Sequence, residues 1–157
     1  MAATTNVVME PAERVLVITR VFDAPRSLVF KAWTQPDHLM RWWGPRGYTT
    51  TVSEMDLRPG GAYRFRMRSG ESIDRYWHGV VREIVEPERI VWTCMVDDAD
   101  GKPFSAETVL TVTFEEHEGK TKLTLHQAVF GTVEIRAAHS HGWGDAMDRL
   151  AEYVASA

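Results

Sequence analysis

The C-terminal stretch TVEIRAAHSHGWGDAMDRLAEYVASA (132–157) decides how the rest of the chain must be arranged. Ile135, His139, Trp143, Met147 (or Ala146), Leu150 and Val154 recur at spacings of three and four, while Asp145, Asp148, Arg149 and Glu152 fall mostly elsewhere. That period predicts a long amphipathic helix with one apolar stripe. Gly142 and Gly144 lie inside it, and each costs about 1 kcal/mol relative to alanine. They read as places where another backbone or a ligand comes close.

Upstream the period is two. AYRFRMRS (62–69) puts Tyr63, Phe65 and Met67 on one face and Arg64, Arg66 and Arg68 on the other, as in a half-buried antiparallel strand whose wet face also protects an edge. Strands are likewise expected over 15–22, 49–57, 75–85, 89–96, 106–116 and 121–130. Pro59-Gly60-Gly61, Pro87, DDADGKP (97–103) and Glu118-Gly119 supply the turns. Between the first two strands DAPRSLVFKAWTQP (23–36) predicts a short helix, with Asp23 as its cap and Pro25 in its first turn. Pro36 ends it and starts a second short helix to about Trp42. A single sheet must cover its apolar face, and the last helix is the only long element that can do so. The expected architecture is α+β: a curved antiparallel sheet of about seven strands around a long C-terminal helix, with two short helices after strand 1.

Composition agrees. The chain has 157 residues, 44% hydrophobic and 25% charged, which suits one soluble domain with a sizeable core. Residues 1–13 read as a loose tail and 14–157 as the domain. No window approaches the ~18 apolar residues of a membrane span, and the N-terminus lacks the pattern of a secretory signal. The net charge is -4 with both signs interleaved, so nucleic acid is not an expected partner. The one cysteine, Cys94, excludes an intrachain disulfide and fits a cytoplasmic location.

RWWGPRGY (41–48) places two indoles where the chain must turn. Successive helical side chains diverge by about 100°, so one indole is expected under the helix pair and the other, Trp43, near a cavity mouth. Gly44-Pro45 stops the helix and turns the chain toward the sheet.

The stretches ITRVFDAPRSLVFKAWTQPDHLMRWWGPRGY, DLRPGGAYRFRM, HGVVREIVEPERIVWT and HGWGDAMDRLAEYV together closely resemble bacterial proteins similar to the activator of heat-shock-protein-90 ATPase, C-terminal-domain type. These are START-like, or SRPBCC, proteins with the helix-grip (pollen-allergen-like) fold. The resemblance runs from about Val15 to Val154. It implies a sheet gripping the last helix around a cavity. It also implies a role in binding apolar small molecules, in polyketide cyclisation, or beside a chaperone in the stress response. Family fixes fold better than function. The chaperone activators carry a further N-terminal domain for which this chain has no room, so a chaperone partner is unsupported here.

The expected ligand site is the cavity wall: Trp43, Tyr63, Phe65, Met67, His78, Trp92, Trp143 and Met147. Aromatic rings and adaptable methionines suit a hydrophobic or amphipathic small molecule held without covalent chemistry. The plainer reading is that the same residues simply fill the core. A binding module of this kind calls for a cavity of about 300 Å³ or more. An enzyme on the same cavity needs a proton donor or acceptor, for which His78, Tyr63 and Glu83 are the nominees. Arg20 and Glu83 are either ladder residues facing water or a buried pair. No metal or other cofactor is expected. His139 and His141, two apart on a helix, point to nearly opposite sides, and DDADGK lacks the spaced ligands of a calcium loop. Cys94 reads as an inert core thiol. Exposed sheet edges and Trp-rich ends would allow a homodimer.

Overall fold

The computed structural model describes residues 12–104 and 106–156. A short 3-10 turn, Ala12–Arg14, leads into β1 (Leu16–Phe22). The tail expected over 1–13 otherwise lies outside the described residues. Two short helices follow, α1 (Arg26–Thr34) and α2 (Pro36–Leu39). Six strands come next: β2 (Tyr48–Met55), β3 (Ala62–Ser69), β4 (Ser72–Val85), β5 (Arg89–Asp97), β6 (Thr108–His117) and β7 (Lys120–Ala128). The long helix α3 (Val133–Ser156) closes the fold. The seven strands form one antiparallel sheet in the order β1-β7-β6-β5-β4-β3-β2. No helix among the described residues is long and apolar enough to cross a membrane.

Three register shifts, between Val52 and Glu54, Met67 and Arg68, and Val81 and Glu83, bend the β2–β5 half of the sheet. The alternation read from β3 holds residue by residue: Tyr63, Phe65 and Met67 are buried, and the arginines between them are half-buried. α3 has 24 residues, about 36 Å of helix. Its buried stripe is Trp143, Ala146, Met147, Leu150 and Val154.

Two local expectations are corrected. Asp23 does not cap α1: Pro25 occupies the cap position and no side chain bonds the first free N–H groups. The ring of Pro25 fixes an extended entry, and the Pro25 carbonyl starts the helix by accepting from Leu28 and Val29. The second short helix stops at Leu39, and the chain reaches Trp43 through tight turns.

Aromatic rings fill the space between sheet and α3. Trp33 of α1 stacks on Trp143 with centroids 5.8 Å apart, and Phe30 meets Phe114 edge-on at 5.2 Å. Trp92 of β5 lies 4.8 Å from Tyr63. All six tryptophans are buried, Trp77 being the most exposed at 6%. The Trp-rich end therefore offers no indole to a second subunit.

Candidate functional site

Trp42 lies under the helix pair and Trp43 lines a cleft, but the two indoles stay in contact rather than diverging. The Trp42 Nε1–H donates to the Ala32 carbonyl (3.0 Å), and its ring lies 4.7 Å from Trp33 beneath α1. Trp43 touches Trp42 (5.5 Å) and Trp33 (5.7 Å) and reaches on toward the sheet, 5.0 Å from Phe65 and 5.2 Å from both Trp77 and Trp143. Gly44 then takes φ +96°, a conformation that disfavours a side chain, and a Cβ there would stand 3.2 Å from the Met67 methyl. The turn is fastened to α3. One Arg149 Nη1 donates to the carbonyls of Trp43 (3.2 Å), Gly44 (2.9 Å) and Pro45 (3.2 Å). The Thr50 hydroxyl adds a bond to the Trp43 carbonyl (2.8 Å), and Arg46 pairs with Glu152.

This turn forms one side of a half-open cleft of about 220 Å³. The turn contributes Trp43, Pro45 and Tyr48, and the sheet contributes Met67, Arg75, Trp77 and Val96. Phe104 comes from the loop after β5, and α3 supplies Ala138, His139, Gly142, Trp143 and Ala146. Gly142 is where the helix backbone comes close: a Cβ built on it lies 3.4 Å from Pro45 Cγ. Gly144 has open space around it.

The cleft holds three of the eight residues read from the sequence, Trp43, Met67 and Trp143. Tyr63, Phe65, Trp92 and Met147 lie deeper, each at most 1% exposed, and the three rings among them pack against Trp33, Trp43 and one another. His78 faces away from the interior and its Nε2 is 2.9 Å from an Asp97 carboxylate oxygen. Its neighbour Trp77 points inward instead. The interior between sheet and helix is thus filled, and the free volume is a smaller cleft at one end. It falls short of 300 Å³, so the larger cavity expected between sheet and helix is not found among the described residues: indoles occupy the centre.

The nominees for proton transfer are all elsewhere. The Tyr63 hydroxyl donates to the Thr93 carbonyl (2.6 Å), and burial holds its pKa well above the ordinary phenol value. Glu83 pairs with Arg89 at the surface. Arg20 pairs with Asp148 (2.5 Å), so Arg20 and Glu83 are not a buried pair. Cys94 is buried beside the Tyr63 hydroxyl (3.2 Å) and the Trp77 Nε1–H (3.1 Å). Burial pushes its thiol up to about 12, which leaves almost no thiolate at neutral pH.

Besides Tyr48, two polar side chains outside the expected site line the cleft, His139 and Arg75. His139 bonds the Ile135 carbonyl through Nδ1 (3.0 Å). A carbonyl only accepts, so Nδ1 carries the proton and the Nε2 lone pair is left. Burial lowers the His139 pKa below its ordinary 6.5, and nearby Arg75 lowers it further. The Arg75 guanidinium lies over the Phe104 ring, 4.4 Å from its centroid. His139 lies on the apolar stripe read from the sequence, where its spacing to His141 speaks only to metal binding. No sequence signal joins Arg75 to Phe104. Among the described residues, no group of His, Cys, Asp and Glu is placed to hold a metal ion.

A model of the family described as "Activator of Hsp90 ATPase homolog 1-like protein" matches residues 23–155. The chain belongs to this family. Solved structures agree on the fold. A protein from Chromobacterium violaceum has 27% identity and a TM-score of 0.81, over 90% of this chain and 96% of that one. A solution structure of an Arthrobacter aurescens protein has 22% identity and a TM-score of 0.82, covering 93% of this chain and 88% of its own. The AHSA1 protein of Silicibacter pomeroyi has 24% identity and a TM-score of 0.80, over 90% and 97%. No curated protein matches the chain. The family thus supports a ligand-binding fold, and its members' shared architecture matches the sheet and helix found here.

Proposed function

We propose that this protein binds a small apolar or amphipathic molecule, about one substituted ring in size, in the cleft between α3, the 43–48 turn and β3–β5, without covalent chemistry. The observation that carries the reading is the cleft itself: three indoles, a methionine and an exposed phenylalanine around about 220 Å³ of open space. An apolar cavity of about 150 Å³ accepts a benzene ring. The extra volume admits a short substituent but not a sterol or a multi-ring polyketide. Preformed apolar walls with few polar groups are the usual make-up of small-molecule sites.

The cyclase reading has lost its acid–base nominees, since His78, Tyr63 and Glu83 do not line the cleft. The chaperone reading calls for an apolar patch elsewhere on the surface. Among the described residues the large exposed hydrophobics are Val17, Val21, Val80, Val133 and Phe104, and only Val17 and Val21 share a strand face.

Thermal unfolding against a panel of single-ring compounds, branched aliphatic compounds, sterols and long fatty acids tests the proposal. A ligand at 100 times its Kd stabilises the native state by about 2.7 kcal/mol. That is about 5–10 °C for a domain of this size. Small rings should give the shift, and Ala138→Phe, which places a ring at the mouth from an exposed helix position, should abolish it. Stabilisation by sterols with none by single rings would overturn the size argument.

A further inference from the structure

The cleft has a chemical asymmetry. Among the described residues no Asp or Glu lines it, and Arg75 is the one Lys or Arg that does. The contacts of that guanidinium are a bond from Nη1 to the Asp74 carbonyl (2.7 Å) and the face of Phe104. Among the described residues no carboxylate lies within ion-pair distance of it. A guanidinium has five donors in a rigid fork, and one bond to a carbonyl leaves most of them unused. His139 also lines it, and an imidazole is neutral or cationic, so it supplies no counter-charge to Arg75. A cation at the edge of an apolar, partly dehydrated cleft acts more strongly than one in water. The planar fork matches a carboxylate by two parallel bonds.

We infer that the ligand is a monoanionic single-ring acid, its carboxylate held by Arg75 at the Phe104 side and its ring against Trp43, Trp77 and Trp143. This rests on the cleft being the binding site and adds the charge and polarity of its occupant. Neutral isosteres lose the charge-assisted bonds, which are worth about tenfold to a hundredfold in affinity. A dianion would leave its second charge against indoles and is selected against.

The test is titration calorimetry at pH 7.5 and low salt with 3-phenylpropionate and 3-phenylpropionamide, which share size and ring. Wild-type protein should bind the acid at least tenfold more tightly. Arg75→Gln should bring the two within about twofold by weakening the acid alone, and Arg75→Lys should recover part of the preference. Thermal melts of both variants establish that they are folded. Equal binding of acid and amide, unchanged in Arg75→Gln, would overturn the inference and leave the cleft reading standing. Binding of neither at millimolar concentration would overturn both.

Discussion

The two glycines of α3 separate stability from binding. Both lie mid-helix, where replacing glycine with alanine gains about 0.8–1 kcal/mol from helix propensity. Around Gly144 no heavy atom beyond the adjoining helix backbone lies within 4 Å of the added Cβ. Gly144→Ala should therefore deliver that gain in full and touch nothing. At Gly142 the added Cβ meets Pro45 Cγ at 3.4 Å, an ordinary contact. Gly142→Ala should gain the same amount, plus a few tenths of a kcal/mol from the new apolar contact. For a domain of this length 1 kcal/mol moves Tm by about 2–4 °C. Each variant should melt about 2–4 °C above wild type by calorimetry, and the pair should add. Only Gly142→Ala narrows the cleft, so only it should weaken a cleft ligand, measured as a several-fold higher Kd. Loss of stability in Gly144→Ala would refute a regular, solvent-facing helix at that point. Loss of more than about 1 kcal/mol in Gly142→Ala would refute the stated spacing to the Pro45 ring. Unchanged binding in Gly142→Ala would place the ligand elsewhere.

Three further outcomes are expected. Gly79→Ala would put a Cβ 2.0 Å from the Thr93 carbonyl oxygen, so β4 and β5 must part. Urea unfolding should show a loss of about 2–3 kcal/mol or more, and a loss below 0.5 kcal/mol would contradict the close approach. Arg149→Met keeps a long apolar stem but removes the donor to three turn carbonyls. It should cost about 2 kcal/mol in urea unfolding and loosen Trp43, with a null result showing that water replaces the guanidinium. His139 titrates lower in the folded protein than its ordinary 6.5, so the unfolded chain takes up this proton first. Its contribution is fully present above about 6.5 and is lost as pH falls below that toward the lowered value. Urea midpoints at pH 7.5 and 5.5 should differ more in wild type than in His139→Gln, and equal differences would show that other groups carry the pH dependence.

Much of the fold was legible because periodicity is a local property. The stripe of α3 and the alternation of β3 each follow from which side chains share a face, and both faces came out as read. Depth is not local. Tyr63, Phe65 and Met67 share one face, yet only Met67 reaches the cleft, because Trp33 and Trp43 arrive from distant parts of the chain and fill the centre. Orientation failed at Trp77-His78, where the apolar neighbours Val80 and Val81 support either choice. The structure resolves it through the pairing of β4 with β5, which turns His78 out to Asp97. The clamp from Arg149 to the 43–45 carbonyls spans more than a hundred residues and involves only backbone acceptors, so no side-chain pattern could announce it.

The most direct measurement is the indole region of a ¹⁵N-correlated NMR spectrum during titration with 3-phenylpropionate. The chain has six tryptophans, three lining the cleft and three outside it. If the cleft is the binding site, the indole N–H signals of Trp43, Trp77 and Trp143 shift most, in step with one another, and Ala138→Phe suppresses the shifts. No shift in any indole at millimolar ligand, or shifts confined to Trp33, Trp42 and Trp92, would contradict it.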